Sequence, residues 1–171
     1  MPSVLPNRTI LIVDDEPDVC DALVRVLGGA GYRALSAESG EAALEVLAKE
    51  PVQLIISDNQ MSGMSGLDLL KQVRLKHPHV LRIMLTGDAA PELAVRSINE
   101  GEVYRFIRKP WNNSDLRNMV GLAFDVIVLE GEKRQLLAIV RRHQAARERG
   151  EQVQPLEDEL LLLAEADFLG N

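Results

Sequence analysis

Short apolar runs alternate with amphipathic segments along the chain from Thr9 to about Val120. The runs are rich in isoleucine, leucine and valine, which is typical of strands buried on both faces of a sheet. The segments between them have apolar residues at helical spacing and end near glycine or proline. The predicted strands are residues 9–13, 32–37, 53–58, 80–86 and 103–109, and the predicted helices are residues 16–27, 39–48, 66–76, 90–99 and 114–149. This alternation predicts an α/β fold with a parallel sheet covered by helices on both faces.

Polar residues stand where four of these strands end. Asp14 and Asp15 follow the first strand, Asp58 ends the third, Thr86 ends the fourth and Lys109 ends the fifth. The carboxyl ends of parallel strands lie together and form the ligand crevice of an open sheet. The first and third strands must be neighbours if their carboxylates share one ion, which favours the strand order 2-1-3-4-5.

Three carboxylates in one crevice repel each other, so their burial requires a cation or raised pKa values. Hard oxygen ligands suit Mg²⁺, which neutralises the charge of a phosphoryl donor. An aspartate can then act as nucleophile and form an acyl phosphate. Lys109 offers a point charge and Thr86 a hydroxyl to the phosphoryl oxygens. The pattern therefore predicts a site for a divalent cation and for phosphoryl transfer.

The last predicted helix, with Ser114 as its expected N-cap, continues well beyond the length that covers a sheet. Seven residues, five of them apolar, follow alternating spacings of four and three: Leu122, Val126, Leu129, Lys133, Leu136, Val140 and His143. Leucine and valine in this pattern favour a parallel two-stranded coiled coil and hence a homodimer, with Lys133 weakening the seam. The alternative is a single helix folded back on its own domain. A short acidic helix with four consecutive leucines is expected at residues 155–169 and should pack on a partner chain or on the coil.

Composition narrows the possible functions. A chain of 171 residues fits one domain plus an extension, and its net charge of −7 argues against direct binding of nucleic acid. No apolar run is long enough for a membrane span, and the N-terminus does not resemble a signal peptide. Cys20 is the only cysteine, so no internal disulfide is possible, and it is expected in the core. These observations together predict the cytoplasm as the location. His77, His79 and His143 lack metal-ligand spacing and are interpreted as surface residues.

Taken together, the residues at the strand ends resemble the marker residues of the receiver domain of two-component response regulators. The resemblance covers about residues 8–121 and extends to the loop at residues 58–66, where the family usually has proline in place of Ser62. It implies a flavodoxin-like (βα)5 fold and a cis Lys109–Pro110 peptide bond. The run at residues 104–111 is similar to receivers that precede HD-GYP phosphodiesterase or hydrogenase-regulator output regions.

The resemblance also assigns roles to the metal and phosphoryl site. It makes Asp58 the phosphoacceptor, and it implies that Mg²⁺ is held by the carboxylates of Asp15 and Asp58 and by the main-chain carbonyl of Gln60. Asp14 is expected to act mainly through a metal-bound water molecule. Lys109 is expected to contact the phosphoryl group during transfer.

Further positions correspond to the family's switch and tuning residues. The resemblance implies that Thr86 moves towards the phosphoryl group and that Phe106 is the aromatic switch residue. Tyr104, two residues earlier, is expected to point to the same face of the sheet. Gln60 and Asp88 match positions that tune dephosphorylation in the family.

We therefore expect a signalling protein rather than an enzyme, with Mg²⁺-dependent self-phosphorylation and autodephosphorylation only. A sensor histidine kinase is the expected phosphoryl donor, and the output is expected to be dimer geometry or docking of an unidentified protein partner. The expected parts are a receiver at 8–121, an extended helix or coiled coil at 122–149 and a short helix at 155–169. Three alternatives are a receiver fragment of a longer regulator, a phosphotransfer enzyme of haloacid dehalogenase type and a degenerate receiver that acts as a scaffold. The dehalogenase type expects its nucleophile in an Asp-x-Asp motif after the first strand, which the Asp14–Asp15 pair does not match.

Overall fold

The computed structural model describes residues 8–87, 98–100, 102–152 and 155–169. Most of the predicted helix at 90–99, and Asp88, lie outside the described residues. The strands are β1 (Thr9–Val13), β2 (Arg33–Ala37), β3 (Leu54–Asp58), β4 (Leu81–Thr86) and β5 (Arg105–Arg108). The described helices, numbered in chain order, are α1 (Pro17–Gly28), α2 (Gly40–Lys49), α3 (Gly66–Lys76), α4 (Asn113–Glu148) and α5 (Leu156–Leu169). Strands β1 to β4 and the five described helices thus lie within a few residues of their predicted positions.

The five strands form one parallel sheet in the order β2-β1-β3-β4-β5, which confirms the predicted flavodoxin-like topology. Strands β1 and β3 are neighbours, with Ile10 opposite Leu54 and Val13 opposite Ser57. This register brings the residue that follows β1 and the last residue of β3 to the same edge of the sheet.

Two apolar clusters cover the two faces of the sheet. Successive residues of β1 belong to different clusters, Ile10 and Ile12 to one and Leu11 and Val13 to the other. Successive side chains of a strand point to opposite faces, so a strand covered on both sides must be apolar throughout. All of β1 and β3 is buried for this reason.

Local sequence signals explain where the helices begin. Pro17 occupies the first turn of α1, where a missing N–H costs no helical hydrogen bond. The Ser39 hydroxyl accepts the Ala42 N–H at 3.1 Å and caps α2. The prediction that Ser114 caps the last helix is wrong. The Oδ1 atom of Asn112 accepts the N–H groups of residues 114 and 115 at 2.7 and 3.3 Å, so Asn112, an equally good capping residue, begins α4.

Strand β5 is shorter than predicted because it begins only at Arg105. The prediction that Tyr104 and Phe106 share a face is wrong as well. Tyr104 packs against the cluster that contains Ile107, whereas Phe106 packs against the cluster that contains Met84. The alternation of faces applies only within a strand, and Tyr104 lies before it.

The chain divides into two compact units, residues 1–127 and residues 128–171. In the first, the rings of Tyr32 and Phe124 stack with their centroids 5.1 Å apart, so the beginning of α4 completes the core. No helix among the described residues is long and apolar enough to cross a membrane.

In the second unit, α5 contacts the C-terminal part of α4. The Nε2 atom of His143 lies 2.6 Å from Oε2 of Glu159, and Arg142 pairs with the same carboxylate. The interpretation of His143 as a surface residue is therefore wrong, because its side chain is buried. A single helix pattern does not reveal which of its polar positions a later helix will cover.

Candidate metal and phosphoryl-transfer site

Three carboxylates converge at the carboxyl edge of the sheet. One oxygen of each of Asp14, Asp15 and Asp58 lies within 4.8 Å of the others. The first two follow β1 and the third ends β3, so the adjacency of these strands brings the carboxylates together. Lys109 follows β5, and its backbone N–H donates to the Thr86 carbonyl at 2.9 Å. The loops at the ends of four neighbouring strands thus supply the whole group.

Lys109 lies between two of the carboxylates. Its Nζ atom is 3.0 Å from Oδ2 of Asp14 and 3.1 Å from Oδ1 of Asp58. Burial by itself would lower the pKa of the Lys109 ammonium, but the bonds to both carboxylates and their charges together raise this pKa. The lysine is therefore held as a cation.

At the buried carboxyl of Asp58, the effect of burial on the pKa is larger than the effect of the neighbouring charge. Burial raises the pKa of Asp58, and the bond and charge of Lys109 oppose this effect without cancelling it. The charged form of Asp58 is therefore under-compensated in the absence of a metal ion. A cation at the cluster would remove this imbalance.

Asp14 is fully buried and both of its carboxylate oxygens have partners. The Glu16 N–H donates to Oδ1 at 3.0 Å, and Lys109 contacts Oδ2. Cys20, which is buried in the core as predicted, lies 3.5 Å from the Asp14 carbonyl oxygen through its thiol. Burial and the nearby Asp14 charge raise the pKa of the Cys20 thiol to about 11, so it remains neutral.

Asp15 is partly exposed and is tied to the loop that follows β3. Its Oδ2 atom accepts the Ser62 N–H at 2.9 Å and the Ser62 hydroxyl at 3.2 Å. The Ser62 N–H is the main reason why the pKa of the Asp15 carboxyl is lowered. In the sequence, Ser62 stands out only as a departure from the family's proline. This departure is the only feature of the sequence that singles out Ser62. The sequence does not show that its hydrogen-bond partner lies 47 residues earlier.

Gly66 determines how closely α3 approaches the end of β3. A Cβ atom added at Gly66 would lie 1.9 Å from the Asp58 carbonyl oxygen and 2.7 Å from its carbonyl carbon. The Gly66 N–H also donates to the Asn59 carbonyl at 3.1 Å. Glycine is therefore required here for close backbone contact rather than for an unusual turn.

The remaining predicted residues lie around this group. Thr86 is buried at the end of β4, next to β5. Phe106 is half-buried in β5, opposite Met84. Gln60 is exposed in the loop between β3 and α3, and the position of its carbonyl relative to the carboxylates stays a prediction. The Lys109–Pro110 peptide bond is cis, as expected.

The donor set fits Mg²⁺. The clustered groups are carboxylate oxygens, which are the hard ligands that this ion prefers, and two of the three carboxylates are buried. Mg²⁺ usually keeps several water molecules and uses one or two protein carboxylates, so the set is large enough. The under-compensated charge of Asp58 provides the electrostatic reason to bind a cation here.

Fold and site together define an open, doubly wound α/β protein with a carboxylate cluster at the carboxyl edge of its sheet. Residues 10–121 match the family described as response regulator receiver domain. The chain therefore belongs to the receiver domain family of two-component response regulators, which are signalling proteins. This membership decides against the alternative of a haloacid dehalogenase type enzyme.

Relatives and solved structures agree with this assignment. The hydrogenase transcriptional regulatory protein HoxA of Cupriavidus necator is 35% identical over 130 residues, which are 76% of this chain and 27% of HoxA. A structure of an adenylate cyclase from Rhodopirellula baltica matches with 33% identity and a TM-score of 0.73, covering 77% of this chain and 98% of that chain. The signal receiver domain of an HD domain-containing protein from Pseudomonas fluorescens matches with 33% identity and a TM-score of 0.67, covering 71% and 97%.

These names confirm the predicted similarity to receivers of hydrogenase regulators and of HD-type proteins. The matched segment spans little more than a quarter of the length of HoxA. The activities of the remaining parts of that relative therefore say nothing direct about this chain. The alternative of a fragment of a longer regulator stays open.

Proposed function

We propose that this receiver accepts a phosphoryl group from a sensor histidine kinase on Asp58. The observation that carries the proposal is the position of the Lys109 ammonium, 3.1 Å from Asp58, beside a cluster of three carboxylates. A cation-binding edge with a fixed ammonium suits phosphoryl transfer, which needs mainly positioning and charge stabilisation.

The transfer proceeds by attack of an Asp58 carboxylate oxygen on phosphorus. A bond forms between this oxygen and phosphorus while the bond from phosphorus to the donor's histidine nitrogen breaks, and the nitrogen keeps the electron pair. When bound, Mg²⁺ neutralises phosphoryl oxygens and polarises the group. Lys109 provides a second positive charge, and the Thr86 hydroxyl donates a hydrogen bond to the product.

Asp58 is better placed as nucleophile than the two aspartates after β1. Asp14 is fully buried, and Glu16 and Lys109 contact its two oxygens. Asp15 is bound to Ser62 through one oxygen. Asp58 is buried beside Lys109, and burial raises its pKa, so its carboxylate is a desolvated and reactive oxygen nucleophile.

The proposed function is tested by incubating the whole chain with acetyl phosphate and Mg²⁺ and measuring its intact mass. We expect a gain of one phosphoryl group per chain, which hydroxylamine removes because the product is an acyl phosphate. Omission of Mg²⁺ should suppress the gain. A chain that stays unmodified, or whose phosphoryl group resists hydroxylamine, would contradict the proposal.

Binding of Mg²⁺ through Asp15 is a separate prediction. Replacing Asp15 by alanine removes one carboxylate from the cluster and should weaken Mg²⁺ binding on the order of 10-fold or more. The measurement is a titration that follows the fluorescence of Trp111, the only tryptophan of the chain, which lies two residues after Lys109. The variant Asp18→Ala, in the first turn of α1, serves as control. Equal affinities of wild type and Asp15→Ala would refute the assignment.

We propose that the phosphorylated site passes on its signal by shifting the positions of Thr86 and Phe106. Both lie on the neighbouring strands β4 and β5, and Phe106 is only half-buried, which leaves its ring room to change position. Two packings that differ by a few kcal/mol suffice for such a switch. Gln60 and Asp88 are proposed to tune the lifetime of the phosphoryl group.

We further propose that the signal is passed on through a homodimer held by α4, with docking of a further protein partner as the other route. The proposed parts are the receiver at 8–121, the extended helix at 122–149 and the short helix at 155–169. The leucines of the predicted seam are exposed in the single chain, Leu122 and Leu129 by 62% each and Leu136 by 42%. Pairing these leucines with a second copy would remove apolar surface from water at about 25 cal/mol per Å².

The dimer prediction is tested by sedimentation equilibrium of the whole chain. We expect a dimer at micromolar concentration, and a monomer when Leu129 and Leu136 are both replaced by glutamate, because the charges cannot be buried in the seam. The matched control is Leu75→Glu, which changes a leucine of α3 that is 81% exposed. A monomeric wild type, or a double variant that still dimerises, would refute the seam.

A further inference from the structure

The loop after β3 is joined to the end of β1 by one side chain and its backbone. Both donors of Ser62, the N–H and the hydroxyl, reach the same oxygen of Asp15, at 2.9 and 3.2 Å. A proline at this position would lack the N–H and the hydroxyl. The pair of bonds is thus a property of this particular sequence.

Both bonds from Ser62 fall on one oxygen of the Asp15 carboxylate, which is also a member of the carboxylate cluster. A carboxylate offers about four lone-pair sites on two oxygens, and Ser62 takes the sites of Oδ2. The same carboxylate also offers one oxygen to the cluster with Asp14 and Asp58. Hydrogen bonds to a ligating carboxylate fix its orientation and thereby raise its affinity for the metal.

We propose that Ser62 is a positioning residue that orients the Asp15 carboxylate for binding of the divalent cation. The proposal rests on the proposed function, since it concerns the same cation site. Ser62 contributes no carboxylate to the cluster and acts through its two bonds to Asp15. It replaces the free rotation of a partly exposed side chain by one orientation, and it couples the loop that carries Gln60 to the end of β1.

Graded substitutions at Ser62 test the proposal. Ser62→Ala removes the hydroxyl bond and keeps the N–H, and should weaken Mg²⁺ binding a few-fold. Ser62→Pro removes both donors and should weaken it on the order of 10-fold. Ser62→Thr keeps both donors and should bind as wild type does. The affinities are measured by Mg²⁺ titration of the whole chain with Trp111 fluorescence, without any phosphoryl donor.

Ser65→Ala is the matched control in the same loop. The Ser65 hydroxyl accepts the Asp68 N–H at 3.1 Å and caps α3, without a hydrogen bond to Asp15. This variant should lose stability but keep the wild-type affinity for Mg²⁺. An equal loss of affinity in Ser65→Ala would mean that loop order alone matters, and would overturn the proposal.

The remaining outcomes separate the inference from the proposed function. A wild type that binds no Mg²⁺ contradicts the proposed cation site itself. A wild type that binds Mg²⁺ while Ser62→Ala and Ser62→Pro bind equally well or more tightly overturns the positioning role only. The positioning role is also overturned if Ser62→Thr binds Mg²⁺ as weakly as Ser62→Ala does.

Discussion

Asp58→Asn is expected to abolish phosphorylation of the chain by acetyl phosphate and Mg²⁺. The neutral amide lacks the nucleophilic carboxylate oxygen that attacks phosphorus, while the shape of the side chain is nearly unchanged. Intact mass after incubation measures the effect, with the wild type treated in parallel. Asp68→Asn, an exposed aspartate in the first turn of α3, should be labelled like the wild type.

Stability shows whether the loss of labelling is specific. Because folding raises the pKa of Asp58 above its ordinary value of 3.8, the folded state binds this proton more tightly than the unfolded state. The wild type should therefore lose stability in Mg²⁺-free buffer as the pH rises above 3.8 and through the raised pKa. Asp58→Asn lacks this loss and should be folded at neutral pH, with a denaturant midpoint at least as high as that of the wild type. Stoichiometric labelling of the folded variant would refute the assignment of Asp58.

Gly66→Ala is expected to have the largest effect on the fold at the site. The added methyl group would lie 1.9 Å from the Asp58 carbonyl oxygen, and a backbone atom cannot move aside by rotating a side chain. Either α3 or the end of β3 must shift, which should lower the free energy of unfolding by about 1–3 kcal/mol. The rate of phosphorylation should fall as well, because Asp58 moves relative to Lys109. Urea denaturation and a labelling time course measure the two effects.

Gly28→Ala provides the matched control, because a Cβ atom at Gly28 meets nothing within 4 Å. Gly28 is the last residue of α1, so alanine there should leave stability unchanged or raise it by up to about 1 kcal/mol. Its labelling should equal that of the wild type. The steric argument would be wrong if Gly66→Ala were as stable and as quickly labelled as Gly28→Ala.

Much of the fold could be predicted from the sequence because strands buried on both faces are apolar throughout. The runs at 9–13 and 53–58 show this directly, and the requirement that their terminal aspartates share an ion led to the correct strand order. The convergence of Asp14, Asp15, Asp58 and Lys109 follows from that order alone. The resemblance to receiver domains predicted details that apolar patterns cannot show, such as the cis peptide bond before Pro110.

Two of the contacts that sequence reasoning missed join segments far apart in the chain, and a third is a local helix cap. Ser62 bonds to a residue 47 positions earlier, and nothing in the loop sequence names that partner. His143 was expected at the surface because its helix pattern does not show that Glu159 returns to it 16 residues later. Asn112 and Ser114 are both good caps, and only the backbone path decides between them. The strand-end chemistry was predictable, but the supporting hydrogen bonds were not.

The position of Lys109 between Asp14 and Asp58 also determines a charge balance. Three carboxylates contribute −3 and the ammonium +1, so the formal charge of the group is −2, which one divalent cation neutralises. Under the proposed function, the phosphoryl group replaces the −1 of Asp58 by a charge of about −1.5 to −2. The phosphorylated site is then left with an excess of up to about −1. Hydrogen-bond donors can offset part of this excess, and the Thr86 hydroxyl at the end of the neighbouring strand is one such donor.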